Sequence, residues 1–266
     1  MKKKITALCL CVALLAVAVV GASLAYFTDT DSRDNVFTTG SVKIELIEKQ
    51  RNGEGGLEDF VDGKILLPIV GSAQDEKDEL GLSTAKNYVD KIVTVKNLAV
   101  DAYVRVYMAI PSALFSLKDE THNVLHVNQP GEGTFVGLDG TTADKAYTWT
   151  DMTQVGTYTD ADGVEYVVVY TTYKDVLTKD EIAGCAAFVG VYLDKGVDCR
   201  EIKKDDGTVE TVYTIKIDNE EMPIDYDLSK GVTLPVFAVG VQADGFTSAD
   251  EAIEAAFGAN YNPWAA

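Results

Sequence analysis

The chain has 266 residues, 47% of them hydrophobic and 24% charged, with a mean hydropathy of +0.02. That is apolar enough to build a sizeable core and too apolar for a disordered tail. A net charge of −19, from 42 acidic against 23 basic residues, repels phosphate backbones and anionic headgroups and excludes nucleic acid as a partner. Two histidines and four cysteines leave little material for metal or nucleophile chemistry.

Residues 1–25 read as an export signal. Lys2, Lys3 and Lys4 form a basic start, residues 5–20 are apolar except for Thr6, and Ser23 and Ala25 supply the small residues of a cleavage site before Tyr26. The alternative is a retained anchor, since the run from Ile5 to Ala25 matches the ~20 residues of a spanning helix. Small residues at its end and the absence of a following basic cluster favour cleavage and no stable membrane anchor. Cleavage removes three lysines and no acid, taking the net charge from −19 to −22. It also removes Cys9 and Cys11 and leaves Cys185 and Cys199. An even pair in an oxidising exterior reads as a disulfide contributing ~3 kcal/mol; two buried thiols are the alternative.

Residues 25–31, Ala-Tyr-Phe-Thr-Asp-Thr-Asp, and 35–44, Asn-Val-Phe-Thr-Thr-Gly-Ser-Val-Lys-Ile, resemble the precursor junction of the TasA and camelysin (CalY) family. The match covers residues 2–46; beyond it, only the β-rich, acidic, secreted pattern is shared. The resemblance implies processing by a SipW-type signal peptidase and a surface or biofilm-matrix protein with a jelly-roll-like sandwich. It also implies self-association into filaments, with other matrix proteins as further partners. In that picture residues 26–40 are a flexible strand-donating arm, residues 26–35 being too polar to hold themselves in a core, with Phe27 and Phe37 as anchors that dock in a groove of the neighbouring subunit or of the subunit's own sheet and Asp29 and Asp31 between them.

Strand signals dominate the rest. Residues 36–47 alternate, with Val42, Ile44 and Leu46 on one face and Lys43 and Glu45 on the other. Residues 50–63 form a Gly- and acid-rich loop, Pro68 demotes residues 65–70 to an edge or bulged strand, and residues 71–82 are a charged linker. Residues 91–96 and 102–110 are two strands joined by a turn around residues 97–101, the second a half-buried strand. Residues 154–173 contain the clearest hairpin, turning at Asp162-Gly163, with residues 164–170 a central strand. Residues 122–128, 146–150, 186–193, 208–217 and 232–242 complete the strands. Ser248 and Glu251 form a capping box for a helix over residues 249–257, closed by Gly258. The expected fold is all-β: an antiparallel jelly-roll-like sandwich over residues 41–266, with long loops and a few short helices, preceded by a hydrophobic signal helix.

His122 and His126 have the spacing of a helical zinc site, but Asn123 stands where the general-base Glu is required. On a strand the two sit about 13 Å apart. They are weak metal candidates, and no cofactor is expected. Asp29, Asp31 and Asp34 offer oxygen ligands, yet Arg33 and Asp34 break the EF-hand pattern; weak calcium binding stays open. The leading reading is a secreted, non-enzymatic, fibre-forming surface or matrix protein. A camelysin-like metalloprotease is the runner-up, and a monomeric adhesin the third.

Overall fold

The computed structural model describes residues 28–32, 35–38, 42–118, 120–130, 133–136, 142–145 and 148–265. Residues 1–27, which include the expected export signal, its expected cleavage site at Ser23, Ala25 and Tyr26, and Phe27, lie outside them. In chain order the strands are β1 (Thr28–Ser32), β2 (Asn35–Thr38), β3 (Ile44–Arg51), β4 (Leu57–Asp59), β5 (Val89–Asn97), β6 (Ala102–Pro111), β7 (Leu125–Asn128) and β8 (Gly133–Val136). They continue with β9 (Thr142–Lys145), β10 (Thr153–Thr159), β11 (Glu165–Thr172), β12 (Phe188–Leu193), β13 (Val197–Lys203), β14 (Val209–Ile217), β15 (Glu220–Pro223) and β16 (Val236–Gln242). Among the described residues the α-helix is α1, Ala249–Phe257.

The fold is mostly β and antiparallel. A six-stranded sheet runs β10-β11-β6-β16-β1-β2, and a five-stranded sheet runs β4-β3-β5-β12-β7. Between them lies one core. Val104, Val106, Met108 and Ile110 of β6 and Val167 and Val169 of β11 meet Ile44 of β3, Val93 and Val95 of β5, and Phe188 and Leu193 of β12. The period-two reading of Val42 and Ile44 as buried and Lys43 and Glu45 as exposed holds. Strands β13, β14 and β15 form a third, mostly exposed sheet, and β8 and β9 a separate pair.

Strand β6 is buried on both faces rather than half-buried. The reason is α1: Ala249, Ala252 and Ile253 cover the side that carries Tyr103, Tyr107 and Ala109. Arg105 on that side stacks its guanidinium 4.1 Å from the Tyr170 ring centroid, donates to Thr172 and ion-pairs with Asp250 at 2.5 Å. Helix α1 starts and stops where its residues dictate. Ser248 Oγ accepts from Glu251 N, and the Gly258 N–H reaches Glu254 O. The Glu251 carboxylate accepts from Thr247 N and Oγ1.

Residues 71–82 pack as a strap rather than a linker. Leu80 and Leu82 bury against Ile92 and Val189 on the outer side of the five-stranded sheet. Arg51 fastens the strap by donating to Asp78, Asp90 and the Ser83 carbonyl. Residues 65–70 make only two isolated bridges, Pro68 to Leu193 and Val70 to Lys86, consistent with a proline that cannot donate to a ladder.

Candidate functional site

The segment expected to be a flexible arm is strand-paired along its described residues. Strand β1 lies antiparallel on β16, with Thr28 opposite Val241 and Ser32 opposite Phe237, and β2 folds back on β1 with Phe37 opposite Thr30. Asp29 stands opposite Gly240 and Asp31 opposite Ala238. The physical reason is main-chain hydrogen bonding. Once β6 has taken one side of β16, the other side needs partners for its N–H and C=O groups, and a polar Thr-Asp segment supplies them without apolar side chains. Gly240 lies close against the facing sheet: a Cβ there would stand 2.9 Å from Ile44 Cγ2 and 3.1 Å from Val42 Cγ1.

At the opposite edge of the same sheet lies β10, Thr-Gln-Val-Gly-Thr-Tyr-Thr, with a bulge between Gln154 and Gly156. The predicted hairpin turn is present: Asp160 Oδ1 accepts from Asp162 N and Val164 N, and Gly163 supplies φ 83°. Beside this edge sits the C-terminal segment. Trp264 stacks on Tyr158, which stacks on Tyr166, and Asn262 Nδ2 donates to Thr157 O at 3.3 Å. Burial raises the Tyr166 phenol, and Asp160 adds to the rise. Under α1, burial pushes the Tyr107 phenol up to about 12, so both tyrosines are neutral packing elements near pH 7.

A groove of about 850 Å³ opens at one end of the sandwich, between residues 60–66 and residues 228–237. Its floor carries a buried ion pair. Lys91 Nζ lies 3.1 Å from Glu48 Oε2, with the two side chains 8% and 9% exposed, and 4.6 Å from the Phe60 ring centroid. Ile65, 79% exposed, stands on its rim. Sequence reading missed this pair, although the signal was there. Lys91 shares the parity of Val93 and Val95, and Glu48 that of Ile44 and Leu46, so both fall on the inward faces of their strands. Around the pair the lining mixes apolar side chains, among them Leu66, Val232 and Leu234, with Asp62, Lys64 and Lys230.

His122 ends a 3₁₀ turn (Glu120–His122) and is exposed. His126 sits on β7, stacked on Tyr192 at 4.8 Å with Nε2 3.2 Å from Asp194 Oδ2. The strand reading is therefore the right one for His126, and it places the two histidines on different elements. Among the described residues no group of three or more His, Cys, Asp or Glu is arranged to hold a metal ion.

The expected Cys185–Cys199 bridge is not formed. Cys185 is buried, its Sγ 2.9 Å from Thr148 Oγ1 and its carbonyl accepting from Trp149 Nε1 at 2.8 Å. Cys199 is exposed on β13. The turn at Asp194-Lys195-Gly196 leads from β12 into a different sheet, so the two cysteines never become cross-strand neighbours.

Comparison with family models, curated proteins and solved structures returned no match. The functional reading therefore rests on the chain's own residues and geometry.

Proposed function

We propose that this chain is an exported structural subunit that associates with copies of itself outside the cell by β-strand addition. In this reading a SipW-type peptidase cleaves after Ala25, and the mature chain starts at Tyr26. The core unit is a jelly-roll-like sandwich, a reading supported by the way the chain crosses between the two main sheets from β5 to β6, β6 to β7 and β11 to β12. No cofactor is required.

The observation that carries the proposal is the β1–β2 hairpin on β16. It is the first described structure after the signal-like segment, and among the described residues β16 is the only strand that it pairs with. A strand held by main-chain bonds to an edge makes the same bonds to the identical edge of a second copy. Exchange is thus nearly neutral in hydrogen bonding, and Phe27 and Phe37 are its anchors. Against it stands the self-repulsion of a strongly acidic chain, so assembly gains from added salt.

The test is direct. Protein beginning at Tyr26 is purified, incubated at rising salt, and examined by electron microscopy beside zinc analysis and a casein-cleavage assay. Filaments without stoichiometric zinc support the proposal; zinc-dependent proteolysis overturns it.

A further inference from the structure

The two outer strands of the six-stranded sheet, β10 and β2, contain no Asp, Glu, Lys or Arg. Most outer strands of the other multistranded sheets are charged: β4 carries Glu58 and Asp59, β13 carries Asp198, Arg200, Glu201 and Lys203, and β15 carries Glu220 and Glu221. The four-residue β7 shares the lack of charged side chains apart from His126, but β10 is longer, at seven residues. Charge on an edge is the ordinary device against edge-to-edge pairing, and at β10 it is missing along seven residues. For molecules that, once begun at Tyr26, repel one another through a net charge of −22 (−19 less the three lysines of residues 1–25), uncharged edges are where two copies approach at least cost.

The strand count makes the two edges compatible. All pairings in this sheet are antiparallel, and there are six strands, so β10 and β2 run in opposite directions. A second copy set beside the first in the same orientation therefore brings its β2 antiparallel to β10. The main chain of β10 is suitably aimed. Asp160 N–H bonds to Val164 O, which makes Tyr158 and Tyr166 a hydrogen-bonded pair and turns the N–H and C=O groups of Thr157 and Thr159 away from β11. The Thr157 carbonyl confirms this direction by accepting from Asn262 on the outer side. That 3.3 Å contact, at an exposed position, has to give way.

We infer that β10 is the edge at which a second copy docks, its β2 adding antiparallel so that the six-stranded sheets of successive copies continue as one. The inference rests on the self-association reading and adds to it a second edge, whichever copy supplies the β1–β2 hairpin on β16. The contact is heterologous, with a different edge on each partner, so it propagates rather than closing on itself. Strand twist of about 20–25° per strand rotates each copy roughly 120–150° relative to the last, giving a twisted filament.

Protein beginning at Tyr26 tests this in four forms: unaltered, Thr157→Pro, Thr157→Lys and Asn262→Ala. Proline at position 157 removes only an outward N–H and leaves the β11 ladder intact, and lysine adds the missing edge charge. Filament mass is read by sedimentation and electron microscopy, with circular dichroism as the control for folding. The expected result is a loss of at least tenfold in Thr157→Pro and Thr157→Lys at unchanged folding, and faster assembly in Asn262→Ala. Should the proline variant fail to fold, the lysine variant decides. Filaments at unaltered yield in a folded Thr157 variant overturn the β10 edge while leaving self-association standing. Protein that forms no filaments in its unaltered form overturns both.

Discussion

Replacing Lys91 by Met removes one half of the buried pair at the groove floor and leaves the Glu48 carboxylate buried without its lysine. Breaking a buried ion pair by removing one partner costs about 3–5 kcal/mol, because the remaining charge is desolvated without compensation. The pair borders an open groove and keeps 8–9% exposure, so water relieves part of this and the lower end, about 3 kcal/mol, applies. With a urea slope of about 3 kcal/mol/M, that moves the unfolding midpoint down by about 1 M. The double variant Glu48→Leu/Lys91→Met removes both charges and keeps the site filled, so it returns to within about 1 kcal/mol of the parent protein. A double-mutant cycle by urea denaturation, with Glu48→Leu as the other corner, should therefore show a coupling of about 2 kcal/mol or more. A Lys91→Met protein within about 0.5 kcal/mol of the parent, or a double variant no better than the weaker single, would refute the reasoning.

Gly240→Ala places a methyl group 2.9 Å from Ile44 Cγ2 and should destabilise by about 1–3 kcal/mol in thermal unfolding; an unchanged Tm would show that the sheets can separate freely there. Cys199 should react with a thiol reagent in the native protein while Cys185 reacts only after unfolding, and reductant should leave Tm unchanged; protection of Cys199 would restore the bridge. Hydrogen bonds from Thr247 hold the Glu251 carboxyl below its ordinary value, so their support of α1 is complete above the unfolded carboxylate pKa near 4.3 and is lost as pH falls through the lower folded value. Amide chemical shifts of Thr247 and Glu251 followed from pH 6 to 2 should move with that titration, and Glu251→Gln should abolish the movement. Shifts that stay flat in the parent would contradict it.

Much of the framework was legible in the residues. Alternation announced β6 and the start of β3, although the single strand expected over residues 36–47 is divided between β2 and β3; the Asp162-Gly163 turn announced β10–β11, and Ser248, Glu251 and Gly258 marked both ends of α1. What stayed hidden depended on distant partners. Nothing local to β6 says that α1, more than a hundred residues later, covers its second face, so Arg105 reads as a solvent-facing residue until Asp250 and Tyr170 arrive. Residues 26–35 read as too polar to hold themselves in a core, yet residues 28–32 pair along β16, because apolar content measures core burial and is blind to main-chain pairing at an edge. The disulfide expectation failed for a related reason. A turn between two cysteine-bearing segments implies a hairpin only if both strands stay in one sheet, and here β13 leaves for another.

The central claim is that the N-terminal hairpin joins copies of the chain through strand pairing. Sedimentation velocity of protein beginning at Tyr26, compared with a form lacking residues 26–38, tests this most directly. The account predicts large, salt-promoted assemblies for the first, and for the second a species with retained β circular dichroism that forms none of those assemblies. Equal assembly of both forms, or a monomer from both at every salt and protein concentration, would contradict it.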